Sequence, residues 1–173
     1  MENGTLPTAL RGVVAASWQR SQEHGIPVEC KEAPLALEAE LVQCHSAHSA
    51  LVEAARPALK QACLFLAEAN SMIILTDSSG LILETAGDPR TIDFGHLVHL
   101  EQGGRWKETD IGTNAIGTAI AASEPVQIHG VEHFCGQVGV TCGPEPRILA
   151  EKLPITRDSA EMLAPQSLYR INS

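Results

Sequence analysis

The chain has 173 residues, 44% of them hydrophobic, 19% charged and 3% aromatic, a balance that excludes wholesale disorder and leaves room for about one ordinary domain. Twelve basic residues against 21 acidic ones give a formal net charge of -9. That excludes the broad positive field with which proteins hold phosphate backbones, so direct nucleic-acid binding by this chain is not expected.

Leu6 to Glu23 reads as a helix that stops at His24-Gly25-Ile26-Pro27, where glycine ends the turn and proline forbids continuation. Leu35 to Glu53 is a second helical stretch, with Leu37, Leu41, Val42, Leu51 and Val52 near a 3.6-residue period and a local weakness from His45 to Ser49. Pro57 either kinks this helix or opens a new one in its first turn. The period then changes. Ser71–Thr76 and Leu81–Ala86 are β-type runs joined by Asp77-Ser78-Ser79-Gly80, which predicts a β-hairpin. A short helix is expected within 91–100 and another from Thr113 or Asn114 to Ala122, ended by Pro125. Val126–His129 is a short strand. This order favours an α+β sandwich over a doubly wound parallel sheet.

The cysteines Cys30, Cys44, Cys63, Cys135 and Cys142 are odd in number, irregularly spaced and without a CxxC pair. They read as free thiols in a reducing, cytoplasmic location. No apolar run is long enough to span a bilayer, and no basic-then-apolar leader opens the chain, so no membrane association is expected.

The segment Gly103–Gly117, GGRWKETDIGTNAIG, carries the most information. Gly112 and Gly117 have the spacing of a phosphate loop, but Thr118 stands where lysine is required, so a nucleotide-hydrolysing loop is rejected. Thr113 or Asn114 is better read as the cap of the following helix. His129, His133, Cys135 and Cys142 lack the paired spacing of zinc sites and read as satisfied polar residues at a sheet edge. His45 and His48, with Cys44 beside them, read as exposed helix residues without further ligands in view, and no metal or cofactor is expected. Ser17, Ser21 and Asp77 have no GxSxG elbow or adjacent base to support hydrolysis, so no enzyme activity is expected.

Taken in order, Ser17-Trp18-Gln19-Arg20-Ser21, Leu75-Thr76-Asp77, Trp106-Lys107-Glu108, Ile111 through Ala119 and Glu132-His133-Phe134 form a pattern. Together they resemble the N-terminal sensory region of sigma-54-dependent Fis-family transcriptional activators of the acetoin-catabolism and dihydroxyacetone-kinase regulator type. The resemblance covers roughly residues 11–135. It implies a GAF-like antiparallel sheet flanked by helices, preceded by N-terminal helices, that encloses a small-molecule pocket and controls a neighbouring AAA+ ATPase. On that basis residues 1–56 are an N-terminal helical region, 57–142 an incomplete GAF-like sensor and 143–173 a divergent, atypical C-terminal tail. Ile74, Thr76, Trp106, Ile111, Asn114 and His133 are the expected ligand-binding residues, with Asn114 favoured as a helix cap. The expected partners are an unidentified small-molecule effector and a second copy of the chain.

No Walker motif, sigma-contacting loop or basic recognition helix is present, so the ATPase and DNA-binding steps fall outside this chain, which reads as truncated before the AAA+ domain. Val140-Thr141-Cys142 retains the start of a family strand, after which the resemblance stops. The tail from Pro144 is neutral, with four basic and four acidic side chains, and Pro144, Pro146, Pro154 and Pro165 make it poor strand material. The expectation is a sheet short of its last strands, with an exposed apolar edge prone to self-association. The competing reading is a stand-alone dimerisation module without ligand, built on the Leu35–Leu66 helical region.

Overall fold

The computed structural model describes residues 11–66 and 70–136 and, beyond them, the backbone of the strands Arg147–Ala150 and Ser167–Asn172. The start of the first helix before Arg11, the Val140-Thr141-Cys142 segment and the four tail prolines lie outside these residues.

Helix α1 (Gly12–Glu23) ends at His24, and Gly25 at φ 69° turns the chain away. The second helical stretch divides at its expected weak point. Helix α2 (Glu38–Ala47) stops at His48, and α3 (Ser49–Leu66) starts afresh rather than at Pro57, which lies inside it. Leu51, Val52, Ala55, Leu59 and Leu66 form the buried stripe of α3.

Strands β1 (Ser71–Thr76) and β2 (Ile82–Gly87) pair antiparallel, as the hairpin pattern predicts, with a register shift at Leu75/Thr76. Asp77 builds the connection. Its Oδ1 accepts from the Ser79 amide at 2.8 Å, the Ser79 hydroxyl at 2.7 Å and the Leu81 amide at 3.0 Å.

Helix α4 (Pro89–His96) begins two residues before the expected stretch. Asp88 caps it by accepting from the Arg90 and Thr91 amides, and Pro89 occupies the first turn without loss. A one-turn helix, α5 (Glu108–Ile111), precedes α6 (Ala115–Ala122). Strand β3 (Val126–His129) has the predicted bounds.

The tail corrects the sequence reading. Strands β4 (Arg147–Ala150) and β5 (Ser167–Asn172) take the middle of one five-stranded sheet in the order β2-β1-β5-β4-β3. Every pairing is antiparallel. The sheet is therefore not short of strands at this point; its edges are β2 and β3. Neither strand contains a proline, so neither loses a ladder hydrogen bond to one.

Side chains alternate across the sheet. Met72, Ile74, Ile82, Val126 and Ile128 pack with Val14, Val98, Leu100, Trp106, Ile111, Ala115 and Ile116 in one core. Leu75, Leu83 and Ala86 pack with Leu51, Val52, Ala55 and Leu59 of α3 in the other. The chain is thus an α+β fold, an antiparallel sheet flanked by helices and preceded by N-terminal helices. No described helix is long and apolar enough to cross a membrane.

Candidate functional site

Helix α1 presents Val14, Ser17 and Ser21 on one face at spacings of three and four residues, and all three are buried. Burying two hydroxyls is costly unless each finds a partner. The partners come from the GGRWKETDIGTNAIG segment, about ninety residues on. Ser17 Oγ donates to Glu108 Oε1 at 2.5 Å and lies 2.8 Å from the Thr113 hydroxyl and 2.9 Å from that of Thr118. Ser21 Oγ donates to the Ser17 carbonyl at 2.9 Å and lies 3.2 Å from Thr113 Oγ1.

Glu108 is almost fully buried, and Arg20 neutralises it with two hydrogen bonds, Nε to Oε2 at 2.6 Å and a terminal nitrogen to Oε1 at 2.9 Å. The hydrogen bond to Glu108 raises the Arg20 pKa further, so the guanidinium stays charged. This network of two serines, two threonines and one ion pair bolts α1 to the start of α5 and α6.

A second set of contacts docks α1 against the Glu132-His133-Phe134 element. The Trp18 indole N–H donates to the Glu132 carbonyl at 2.7 Å, and its ring meets Phe134 edge-on at 5.4 Å. Arg11 makes two hydrogen bonds to the Glu132 carboxylate and one to the Gln127 carbonyl. Burial pulls the Glu132 pKa up, but Arg11 and the His129 amide outweigh it and hold the carboxyl below its ordinary value.

Each residue expected to bind ligand is buried. Ile74, Trp106 and Ile111 meet in the core beneath α6. Trp106 donates its indole N–H to the His99 carbonyl at 3.0 Å. Asn114 is the cap that its position suggested: Oδ1 accepts from the Gly117 amide at 2.8 Å, and Nδ2 donates to the carbonyls of Trp106 and Gly112. Gly117 permits this close approach, since a Cβ there would sit 2.6 Å from the Glu108 nitrogen. Thr76 and His133 differ from the rest. Thr76 Oγ1 and His133 Nε2 are the two buried side-chain polar atoms without a partner among the described residues. Burial drives the His133 pKa down to about 4, so the ring is neutral near pH 7.

The free-thiol reading is corrected at two positions. Cys30, in the segment after α1, and Cys135, just past Phe134, form a disulfide across 105 residues. The fold brings them together, and no spacing rule foretells it. The bond also removes Cys135 from any ligand set with His129 and His133; Cys142 lies outside the described residues. Cys44 and Cys63 are free.

On the opposite side of the sheet, Val52, Leu59, Cys63 and Ala86 floor a groove of about 210 Å³ that Arg56, Lys60 and Glu84 rim. Ser17, Arg20 and Glu108 carry the resemblance as motif letters, yet their union was not read from the sequence. The available signal was the polar stripe at positions 17, 20 and 21 on the face that also holds Val14.

The site thus lies in an α+β domain whose first helix is locked in place by buried polar groups. The chain belongs to the family described as "MimR, N-terminal domain", which matches residues 2–164. It is 36% identical over 136 residues to the acetoin dehydrogenase operon transcriptional activator AcoR of Bacillus subtilis, covering 78% of this chain and 22% of that one. It is 31% identical over 153 residues to the propane 2-monooxygenase operon transcriptional activator MimR of Mycolicibacterium smegmatis, covering 87% and 24%. The chain thus spans about a quarter or less of the length of these relatives. The crystal structure of the E. coli DhaR(N)–DhaL complex shares its fold, with a TM-score of 0.79 over 93% of this chain and 51% of that chain at 18% identity.

Proposed function

We propose that this region is the small-molecule-sensing, GAF-type regulatory domain of a bacterial sigma-54-dependent transcriptional activator, without catalytic activity of its own. The family and the relatives named above support the regulatory role. The observation that carries the sensing reading is the pair of buried polar atoms, Thr76 Oγ1 and His133 Nε2, that have no partner among the described residues. A buried polar group left unpaired costs about 1–3 kcal/mol, which a hydrogen-bonding ligand recovers. Ile74, Trp106 and Ile111 would supply the apolar wall, and an effector with hydroxyl or carbonyl groups would complete the two polar positions.

Occupancy would then reach α1 directly, because the same segment that carries Trp106 and Ile111 also carries Glu108 and Thr113, the partners of Ser17. The homodimer expected from the sequence belongs to this proposal too. Leu64 and Phe65 at the end of α3 are 82% and 75% exposed, apolar surface suited to a second copy.

Isothermal titration calorimetry of this chain with small diols, ketones and carboxylic acids tests the sensing reading. Saturable binding by one of these classes is expected, weakened at least tenfold by Thr76→Val, with the melting temperature of the ligand-free variant equal to or above that of the parent. Concentration-dependent association in the ultracentrifuge with no heat from any class would instead favour the dimerisation module.

A further inference from the structure

The end of α2 and the start of the β1–β2 connection bring together three donors of different chemistry. Cys44 and His48 lie four residues apart, so they share one face of the helix as it breaks. Asp77, 93% buried, closes on them from the end of β1. Cys44 Sγ is 3.5 Å from His48 Nδ1 and donates its proton to Asp77 Oδ2 at 3.4 Å. One ligand atom from each of the three residues lies within 4.8 Å of the other two.

These spacings have a chemical meaning. Zinc bonds of about 2.3 Å to sulfur and about 2.0–2.2 Å to nitrogen or oxygen, at tetrahedral angles, separate the sulfur from each lighter donor by about 3.5 Å. The two observed edges match that value. The carboxylate is also held in place before any metal arrives. Its Oδ1 is committed to the Ser79 amide, the Ser79 hydroxyl and the Leu81 amide, which leaves Oδ2 facing the thiol. Outer hydrogen bonds of this kind orient metal-binding carboxylates.

We propose that Cys44, His48 and Asp77 form a binding site for one divalent transition-metal ion of the zinc class, with a fourth position open to water or another small ligand. On binding, the thiol proton leaves to solvent and the thiolate takes its place on the metal. His48 gives up the 3.0 Å hydrogen bond that its Nδ1–H donates to the Cys44 carbonyl: the Nδ1 proton leaves to solvent, Nε2 takes one up, and the bared Nδ1 ligates. The ion clasps α2 to the hairpin. The site is separate from the polar lock of α1 and does not depend on the sensing proposal.

Cobalt(II) is the probe. The chelator-stripped chain, purified without a histidine tag and with its disulfide intact, is titrated with Co2+. One equivalent is expected to raise thiolate-to-cobalt charge-transfer absorption and four-coordinate d–d bands, both bleached by Zn2+. Cys44→Ser is expected to abolish the charge-transfer band, His48→Ala to weaken Co2+ binding at least tenfold, and Cys63→Ser to leave both unchanged. No bands at tenfold excess Co2+, or bands that survive Cys44→Ser, overturn the proposal. A second readout keeps the native sequence: Zn2+ is expected to slow alkylation of Cys44 at least tenfold, and a Cys44 rate that Zn2+ does not change is equally fatal.

Discussion

His133 shows how one side chain ties stability to pH. Its folded pKa, about 4, lies below its ordinary value of 6.5 because the ring is buried. Between those values the unfolded chain holds a proton that the folded chain refuses. The stabilising contribution is therefore complete above pH 6.5 and is lost as the pH falls towards 4. Moving from pH 7 to pH 5 is expected to cost about 2 kcal/mol through this residue alone. Urea denaturation at both pH values checks this, and His133→Gln should remove that share of the difference. In the neutral ring Nδ1–H donates to the Gly130 carbonyl at 3.3 Å, which leaves Nε2 as an acceptor for a donor group.

At the scale of elements, α1 is held by chemistry that is usually expensive. Glu108→Ala removes the acceptor of both Ser17 and Arg20 and is expected to cost roughly 2–3 kcal/mol, below the range for fully buried pairs because Arg20 remains partly exposed. Arg20→Ala should cost at least as much, because it leaves the buried Glu108 carboxylate without its counter-ion, and the double variant less than the sum, with a coupling of roughly 1 kcal/mol by double-mutant cycle. Strict additivity would show that the two groups do not act as a unit.

The elements themselves were largely legible, since α1, the hairpin, the Asn114 cap and β3 rest on local periodicity and turn chemistry. The lock was not, because Ser17 and Glu108 are 91 positions apart and a sequence pattern does not state which buried hydroxyl meets which carboxylate. The same holds for the cluster of Cys44, His48 and Asp77. Its two helix residues stand four apart in the sequence, and the third donor arrives only through the packing of α2 on the hairpin. The tail differs for another reason: its proline content argues against strands as composition, whereas the runs Arg147–Ala150 and Ser167–Asn172 contain none.

For the molecule as a whole, the Cys30–Cys135 bond joins the segment after α1 to the segment after Phe134, and so staples the region where α1 docks. Closing a loop of this size in the unfolded chain is worth about 4–5 kcal/mol on chain-entropy grounds. Reduction, or Cys30→Ser, is expected to lower stability by up to that amount in urea denaturation. An unchanged midpoint would show that the staple carries no weight.

The position of β5 sets the order in which the chain can complete itself. Strand β1 emerges early in synthesis and pairs at once with β2, but its other edge is filled by residues 167–172. Until those residues leave the ribosome, the sheet is two separate pieces, the β1–β2 hairpin under α3 and the β3–β4 pair, each with a bare edge where β5 will enter. The long sequence separation of the β1–β5 pair makes this closing step the slow one and the interval before it the period of greatest risk of aggregation.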